Sequence, residues 1–186
     1  MLTVANLITL FRISLIPVFV MCFVYIGAHP NMPAVVLLTF TVAAMLDAVD
    51  GMVARVFRQK TDLGAFLDPL ADKLLVTMVY ILGVGYGIPL YVTVVVISRD
   101  LLIVLGWGLL HYFKRDAEIR PMWISKVNTA CQFVTAIIVL FNLAVPFNRS
   151  EAILMTACWI TMATTLVSGA ACYVEWYKRM GGYTRV

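Results

Sequence analysis

The sequence predicts an all-α, polytopic membrane protein of six transmembrane helices and a short N-terminal interfacial helix. Both termini are expected on the cytoplasmic side, with 1–186 forming one membrane domain. Three observations lead there. The 186 residues are 62% hydrophobic and 13% charged, with a mean hydropathy of +0.94, whereas a soluble domain carries about twice that charged fraction. The apolar residues run in long blocks, such as 13–26 and 74–84. The basic residues gather in alternate connections between those blocks. Six helices of about 20 residues each nearly fill such a chain. A soluble enzyme, a nucleic-acid binder and a two-domain protein are thereby disfavoured.

The elements follow in order. Residues 1–12 are too short to span before Arg12 and read as an interfacial helix running into span one at 13–27. A signal peptide is the rival reading of that stretch, disfavoured by the length of the apolar run and the lack of an A-x-A site after it. Spans two to six are expected at 32–55, 62–86, 89–112, 122–145 and 152–177. The breaks His29-Pro30-Asn31, Gly87-Ile88-Pro89 and Pro146-Phe147-Asn148 carry turn chemistry. Gly83 to Gly87 gives a GxxxG spacing that reads as helix packing or a turn.

Charge sets the orientation. Arg55, Arg58 and Lys60 lie between spans two and three, Lys114, Arg115 and Arg120 between four and five, and Lys178, Arg179 and Arg185 after six. Arg149 is the single Lys or Arg in the opposite connections. The positive-inside rule then places the charged loops and both termini in the cytoplasm. The net charge of +4 is read as orientation and contact with anionic lipid, not nucleic-acid binding. Trp107, Tyr112, Trp123, Trp176 and Tyr177 fall near the expected interfaces, as aromatic belts do. Cys22, Cys131, Cys158 and Cys172 form no CxxC and read as small packing residues, while His29 and His111 are isolated.

Four aspartates break the apolar pattern. Asp47 and Asp50 close span two at i, i+3; Asp68 and Asp72 open span three at i, i+4, so each pair shares one helix face. A carboxylate in a membrane helix costs several kcal/mol and is a functional candidate by default. A short loop joins the two helices, so the pairs can converge near the cytoplasmic surface. Four converging carboxylates repel unless cations lie among them. Oxygen ligands suit Mg²⁺ or Mn²⁺, two of which would balance the four charges, and paired ions are a recurring device of phosphoryl chemistry. The bland alternative is neutralisation by Arg55 and Lys73. Gly51 and Ala54 sit on the aspartate face, Gly64 stands one turn before Asp68, and Arg55 is placed to reach a phosphate. A divalent-cation carrier is a remote second class. It is disfavoured because the outer half has no matching acidic residues and a pore has no use for the Gly/Ala/Arg pattern.

The complete run D47-x2-D50-G51-x2-A54-R55-x8-G64-x3-D68-x3-D72 resembles the signature of the CDP-alcohol phosphatidyltransferases, eight fixed residues at fixed spacing. That resemblance implies a six-helix membrane enzyme, commonly a homodimer, which uses two divalent cations to displace CMP from a CDP-linked substrate with an alcohol. It implies that Asp47, Asp50, Asp68 and Asp72 hold the metals, Asp72 also serving as the base. It implies that Gly51, Ala54 and Gly64 pack against the CDP moiety and that Arg55 meets its pyrophosphate. Asn6, Thr9 and Arg12 are candidates to close the CDP site from the interfacial helix.

Within the family, the segments I97-S-R99-D100 and I124-S-K126-V-N128-T129-A-C-Q132 resemble CDP-alcohol-type cardiolipin synthases. Phosphatidylglycerophosphate synthases more often show Arg-Glu at the first place and a Gly-Lys…Lys-Thr pattern at the second. The implied substrates are CDP-diacylglycerol and phosphatidylglycerol, with glycerol 3-phosphate as the alternative acceptor. An unpaired Arg99 inside span four would be expensive. Its bland partner is Asp100 or a metal-site aspartate; its functional reading is an acceptor pocket made with Lys126, Thr129 and Gln132. The missing presequence and the short connection after span four suit a bacterial cytoplasmic membrane with the active site facing the cytoplasm.

Overall fold

The computed structural model describes residues 4–57, 62–112, 123–145 and 151–181, with side chains at 11, 13–46, 73–105, 123–145 and 151–175. Six α-helices and no strand occur among the described residues: α1 (Val4–Val24), α2 (Met32–Phe57), α3 (Asp62–Gly83), α4 (Leu90–Tyr112), α5 (Trp123–Ala144) and α6 (Glu151–Gly181). A 3-10 turn, Val84–Tyr86, follows α3. The expected interfacial helix and first span are one continuous element, since α1 runs through Arg12 without a break. Pro17 removes one N–H from the ladder of that helix, a loss that packed membrane helices tolerate.

The turns follow from the residues that break the helices. Ala28 N–H donates to Tyr25 O (2.9 Å) and Met32 N–H to His29 O (3.1 Å), closing the bend at His29-Pro30. Pro33 then occupies the first turn of α2, where its missing N–H would have had no helical partner anyway. Between α3 and α4, Gly87 takes φ +108°, a conformation that L side chains rarely adopt. A Cβ there would also come within 2.9 Å of Leu154 Cδ2. Pro89 O accepts from Val92 N–H and Thr93 N–H to start α4. The GxxxG spacing is therefore a turn, with Gly83 ending α3 and Gly87 in the break.

The contacts fall into two units. The first comprises Met1–Tyr86 and Ala136–Ser150. There α1 packs against both α2 and α3, presenting Ile16, Phe19 and Phe23 as its buried face, which Ile26 extends into the following turn. Phe19 lies 5.8 Å from Phe23 and 6.2 Å from Phe40, ring centre to ring centre, and Tyr86 meets Phe23 edge-on at 5.4 Å. Such pairs add about 0.5–1.5 kcal/mol each beyond area burial. On α2 the matching stripe is Val36, Phe40 and Ala43; on α3 it is Leu75, Val76, Val79 and Tyr80.

The second unit comprises Gly87–Thr135 and Glu151–Val186, with α4 against α6. Its interior mixes apolar residues such as Val92 and Val96 with an unusual number of polar ones. Thr93, Arg99, Asn128, Gln132, Thr135, Thr161, Thr165 and Ser168 are all buried, while Leu101, Leu102, Val134, Trp159, Leu166 and Val167 are exposed. A water-soluble fold reverses that arrangement. Lipid accommodates it, because there the apolar face needs no cover and polar groups gain by pairing between helices. Thr156, on the outer side of α6, turns its hydroxyl onto Ala152 O of its own helix at 2.7 Å. In the first unit Thr39 and Thr41 do the same, onto Val35 O and Leu37 O. Among the described residues, two helices are long and apolar enough to cross a membrane on their own, at Trp123–Ala144 and Glu151–Glu175, with shorter apolar stretches at Ile13–Val24, Met32–Leu46 and Lys73–Tyr86.

Candidate functional site

Two groups of candidate residues occupy the two units. In the first unit, Asp47, Asp50, Gly51, Ala54 and Arg55 lie in the second half of α2, and Gly64, Asp68 and Asp72 in the first half of α3. Both aspartate pairs are thus on α-helix, where i, i+3 and i, i+4 spacings put their residues on one face. The side chains of 47–72 lie outside the described residues, as do those of Asn6, Thr9 and Arg12. As a donor set, four carboxylates with no nitrogen or sulfur among them fit hard divalent cations such as Mg²⁺ or Mn²⁺.

In the second unit, Arg99 is 4% exposed and held on three sides. Its Nη1 donates to Asp100 Oδ1 at 2.6 Å, and its Nη2 donates to Ser125 Oγ at 2.7 Å and Ser168 Oγ at 2.6 Å. The bland partner expected for Arg99 is therefore present in Asp100. Three elements converge on the guanidinium because α4 buries Val92, Val96 and Arg99 at 4-3 spacing toward α6. Gly169 lies beside the arginine stem, where a Cβ would meet Arg99 Cγ at 3.7 Å, an ordinary van der Waals contact. The Nε–H has no hydrogen-bond partner although it is buried.

One turn along the same helices is a second node. Asn128, fully buried, receives the hydroxyls of Thr164 (3.0 Å) and Thr165 (2.8 Å) on its Oδ1. The proton of Thr164 is shared with Thr161 O at 3.0 Å. That of Thr165 goes to Asn128 Oδ1, which fixes the amide with its oxygen toward α6. Asn128 Nδ2 is buried without a partner. A buried donor left so costs about 1–3 kcal/mol, and native interiors rarely leave one. A third node pairs Thr135 and Thr161 hydroxyls at 2.8 Å.

The four residues expected to form an acceptor pocket are divided by α5. Gln132 joins the buried stripe Asn128, Gln132, Thr135, Ala136 and Val139, and Arg99 meets this helix at Ser125. Lys126 is on the exposed side, its Nζ 5.7 Å from the Trp123 ring centre, within cation–π range. Thr129, half-buried, bonds back to Ser125 O at 3.1 Å. The sequence reading missed Ser125 and Ser168 as arginine partners and gave Asn128 no role. Their signal is a polar residue every third or fourth place in an apolar helix: 125, 128, 132 and 135 on α5, and 161, 165 and 168 on α6.

The profile of the CDP-alcohol phosphatidyltransferase family matches residues 2–167. The chain is 34% identical to rat (Rattus norvegicus) cardiolipin synthase (CMP-forming) and 32% identical to the human (Homo sapiens) protein of that name, each over 95% of this chain and 62% of the relative. It thus spans about 62% of the length of these mammalian relatives. It is also 32% identical to the CDP-diacylglycerol–glycerol-3-phosphate 3-phosphatidyltransferase of Pectobacterium atrosepticum, over 89% of this chain and 90% of that one.

Proposed function

The chain belongs to the CDP-alcohol phosphatidyltransferase family, and from that premise we propose that it transfers a phosphatidyl group from CDP-diacylglycerol to phosphatidylglycerol, releasing CMP and forming cardiolipin. The observation that carries the reading is the complete run from Asp47 to Asp72, eight fixed residues at the family's spacing, with both carboxylate pairs on helices. The relatives named cardiolipin synthase and the ISRD and ISKVNT segments support phosphatidylglycerol as acceptor.

In this mechanism the acceptor hydroxyl attacks the β-phosphorus of CDP-diacylglycerol. An O–P bond forms, the P–O bond to CMP breaks, and the hydroxyl proton passes to the carboxylate of Asp72. Arg55 holds the pyrophosphate, and Gly51, Ala54 and Gly64 leave the backbone open to the nucleotide. Asn6 and Thr9 contact the CDP moiety from α1. Arg99, Lys126, Thr129 and Gln132 bind the acceptor. Asp47, Asp50, Asp68 and Asp72 would hold two divalent cations, Mg²⁺ or Mn²⁺, which when bound neutralise charge building on the phosphoryl oxygens.

All six helices span the membrane in this reading, with both termini and the aspartates on the cytoplasmic side, and the protein works as a homodimer. The bacterial cytoplasmic membrane is the proposed compartment, on the shortness of the connection between α4 and α5.

A second acceptor has its own support, because relatives that the chain matches over 83–90% of their length are named for phosphatidylglycerophosphate synthesis or transfer to glycerol 3-phosphate. The deciding assay offers CDP-diacylglycerol and Mg²⁺ or Mn²⁺ to purified protein, with phosphatidylglycerol and glycerol 3-phosphate in separate reactions and products read by mass spectrometry. Cardiolipin from the first alone is expected. Phosphatidylglycerophosphate from the second alone would transfer the assignment to glycerol 3-phosphate.

A further inference from the structure

We propose that Asn128 Nδ2 and Arg99 Nε together seat a phosphoryl oxygen of the acceptor, which makes Asn128 a specificity-determining residue; this rests on the transferase reading above. Both donors are buried, and neither has a hydrogen-bond partner. They also belong to one structure. Ser125 and Asn128 are i, i+3 on α5, and Ser168 and Thr165 are i, i+3 on α6. The serines hold the guanidinium and Thr165 holds the amide. The two nodes are therefore about one helical turn apart, roughly 5 Å along the axis. Hydrogen bonds of about 2.9 Å from each can reach one oxygen or two oxygens of a single phosphate.

The way each group is anchored selects an acceptor. Thr165 gives its proton to Asn128 Oδ1, so the amide cannot turn its oxygen toward the seat without stranding that hydroxyl. Asp100, Ser125 and Ser168 occupy the Nη groups of Arg99 and leave Nε as the unmatched donor. What remains is two buried donor nitrogens without a hydrogen-bond partner, a complement for an anionic or strongly polarised oxygen. The amide is neutral and the guanidinium already has a carboxylate against it at 2.6 Å. That charge balance suits the single negative charge of a phosphodiester better than a dianionic monoester.

The test uses full-length protein in detergent, with CMP release measured against each acceptor concentration. Asn128→Asp is nearly isosteric and puts an acceptor oxygen where the seat had a donor, so the shape is kept while the phosphoryl oxygen loses one partner and is repelled. The expected result is a rise of about ten-fold or more in KM for the acceptor that wild type uses. The KM for CDP-diacylglycerol should stay within about two-fold, since the seat takes no part in binding it. Asn128→Ala, which removes the donor and adds no charge, should raise the same KM. An unchanged acceptor KM in Asn128→Asp, or a lowered melting temperature in both variants with neither KM moved, would reduce Asn128 to helix packing around a structural water. Absence of CMP from wild type with either acceptor would instead remove the transferase reading, and this inference with it.

Discussion

Asp72 and Arg99 are both charged residues in apolar helices, and they answer to different tests. For Asp72 the proposed role is proton acceptance, and Asp72→Asn keeps the shape while removing basicity. Turnover should fall by about 10²–10⁴-fold, with CDP-diacylglycerol binding retained. Because Asp72 is also a proposed metal ligand, the assay is repeated across a Mg²⁺ titration. Full recovery at high Mg²⁺ would leave it a ligand and take away the base. Arg99 is different, because its three hydrogen bonds tie α4 to α5 and α6 whatever else it does. Arg99→Leu takes the cation away from a carboxylate that is itself 13% exposed. Breaking such a buried pair costs about 3–5 kcal/mol, and a clear drop in melting temperature is expected before any kinetic effect is read. A melting temperature equal to wild type would show that the Asp100 contact holds nothing together.

At the scale of elements, the α5–α6 seam shows what the sequence reveals and what it hides. Helix positions were legible because Pro, Gly, Asn and charged residues interrupt the apolar runs, and the expected span 89–112 differs from α4 by one residue at its start. The face of each helix was not legible. On α1 the buried Ile16, Phe19 and Phe23 alternate with exposed Val18, Met21 and Val24, so both faces are apolar and no periodicity separates them. In α5 and α6 the information sits in the minority polar residues. On α5, Gln132 lies on the buried stripe, Lys126 on the exposed side and Thr129 between them. The Thr135–Thr161 pair tests the seam directly. Interhelical hydrogen bonds in membranes average about 0.6 kcal/mol, so Thr135→Val and Thr161→Val should each destabilise by that order. The double variant should cost less than the sum, since one bond cannot be lost twice. Strict additivity in a double-mutant cycle would mean that the two hydroxyls, 2.8 Å apart, do not interact.

For the whole molecule the open quantity is orientation, and charge decides it. An even number of spans returns the C-terminus to the side of the N-terminus. If all six helices cross, the basic residues of the 58–61 and 113–122 connections and those beyond α6 share one face of the membrane. Holding them outside would mean moving Arg58, Lys60, Lys114, Arg115, Arg120, Lys178, Arg179 and Arg185 across the bilayer and retaining Arg149 in their place. A reporter fused after Val186 should therefore be active only where it folds in the cytoplasm, and one placed at 146–150 only outside. Moving the bias tests the cause. Replacing Lys114, Arg115 and Arg120 with glutamine while adding three lysines near Arg149 should give a mixed or inverted population. Such a population should lose CMP release in proportion to the inverted fraction when CDP-diacylglycerol is presented from the cytoplasmic face alone. A C-terminal reporter active outside in the unaltered protein would mean either an inverted bundle, with the Asp47–Asp50 and Asp68–Asp72 pairs on the face opposite to that proposed, or an odd number of crossings.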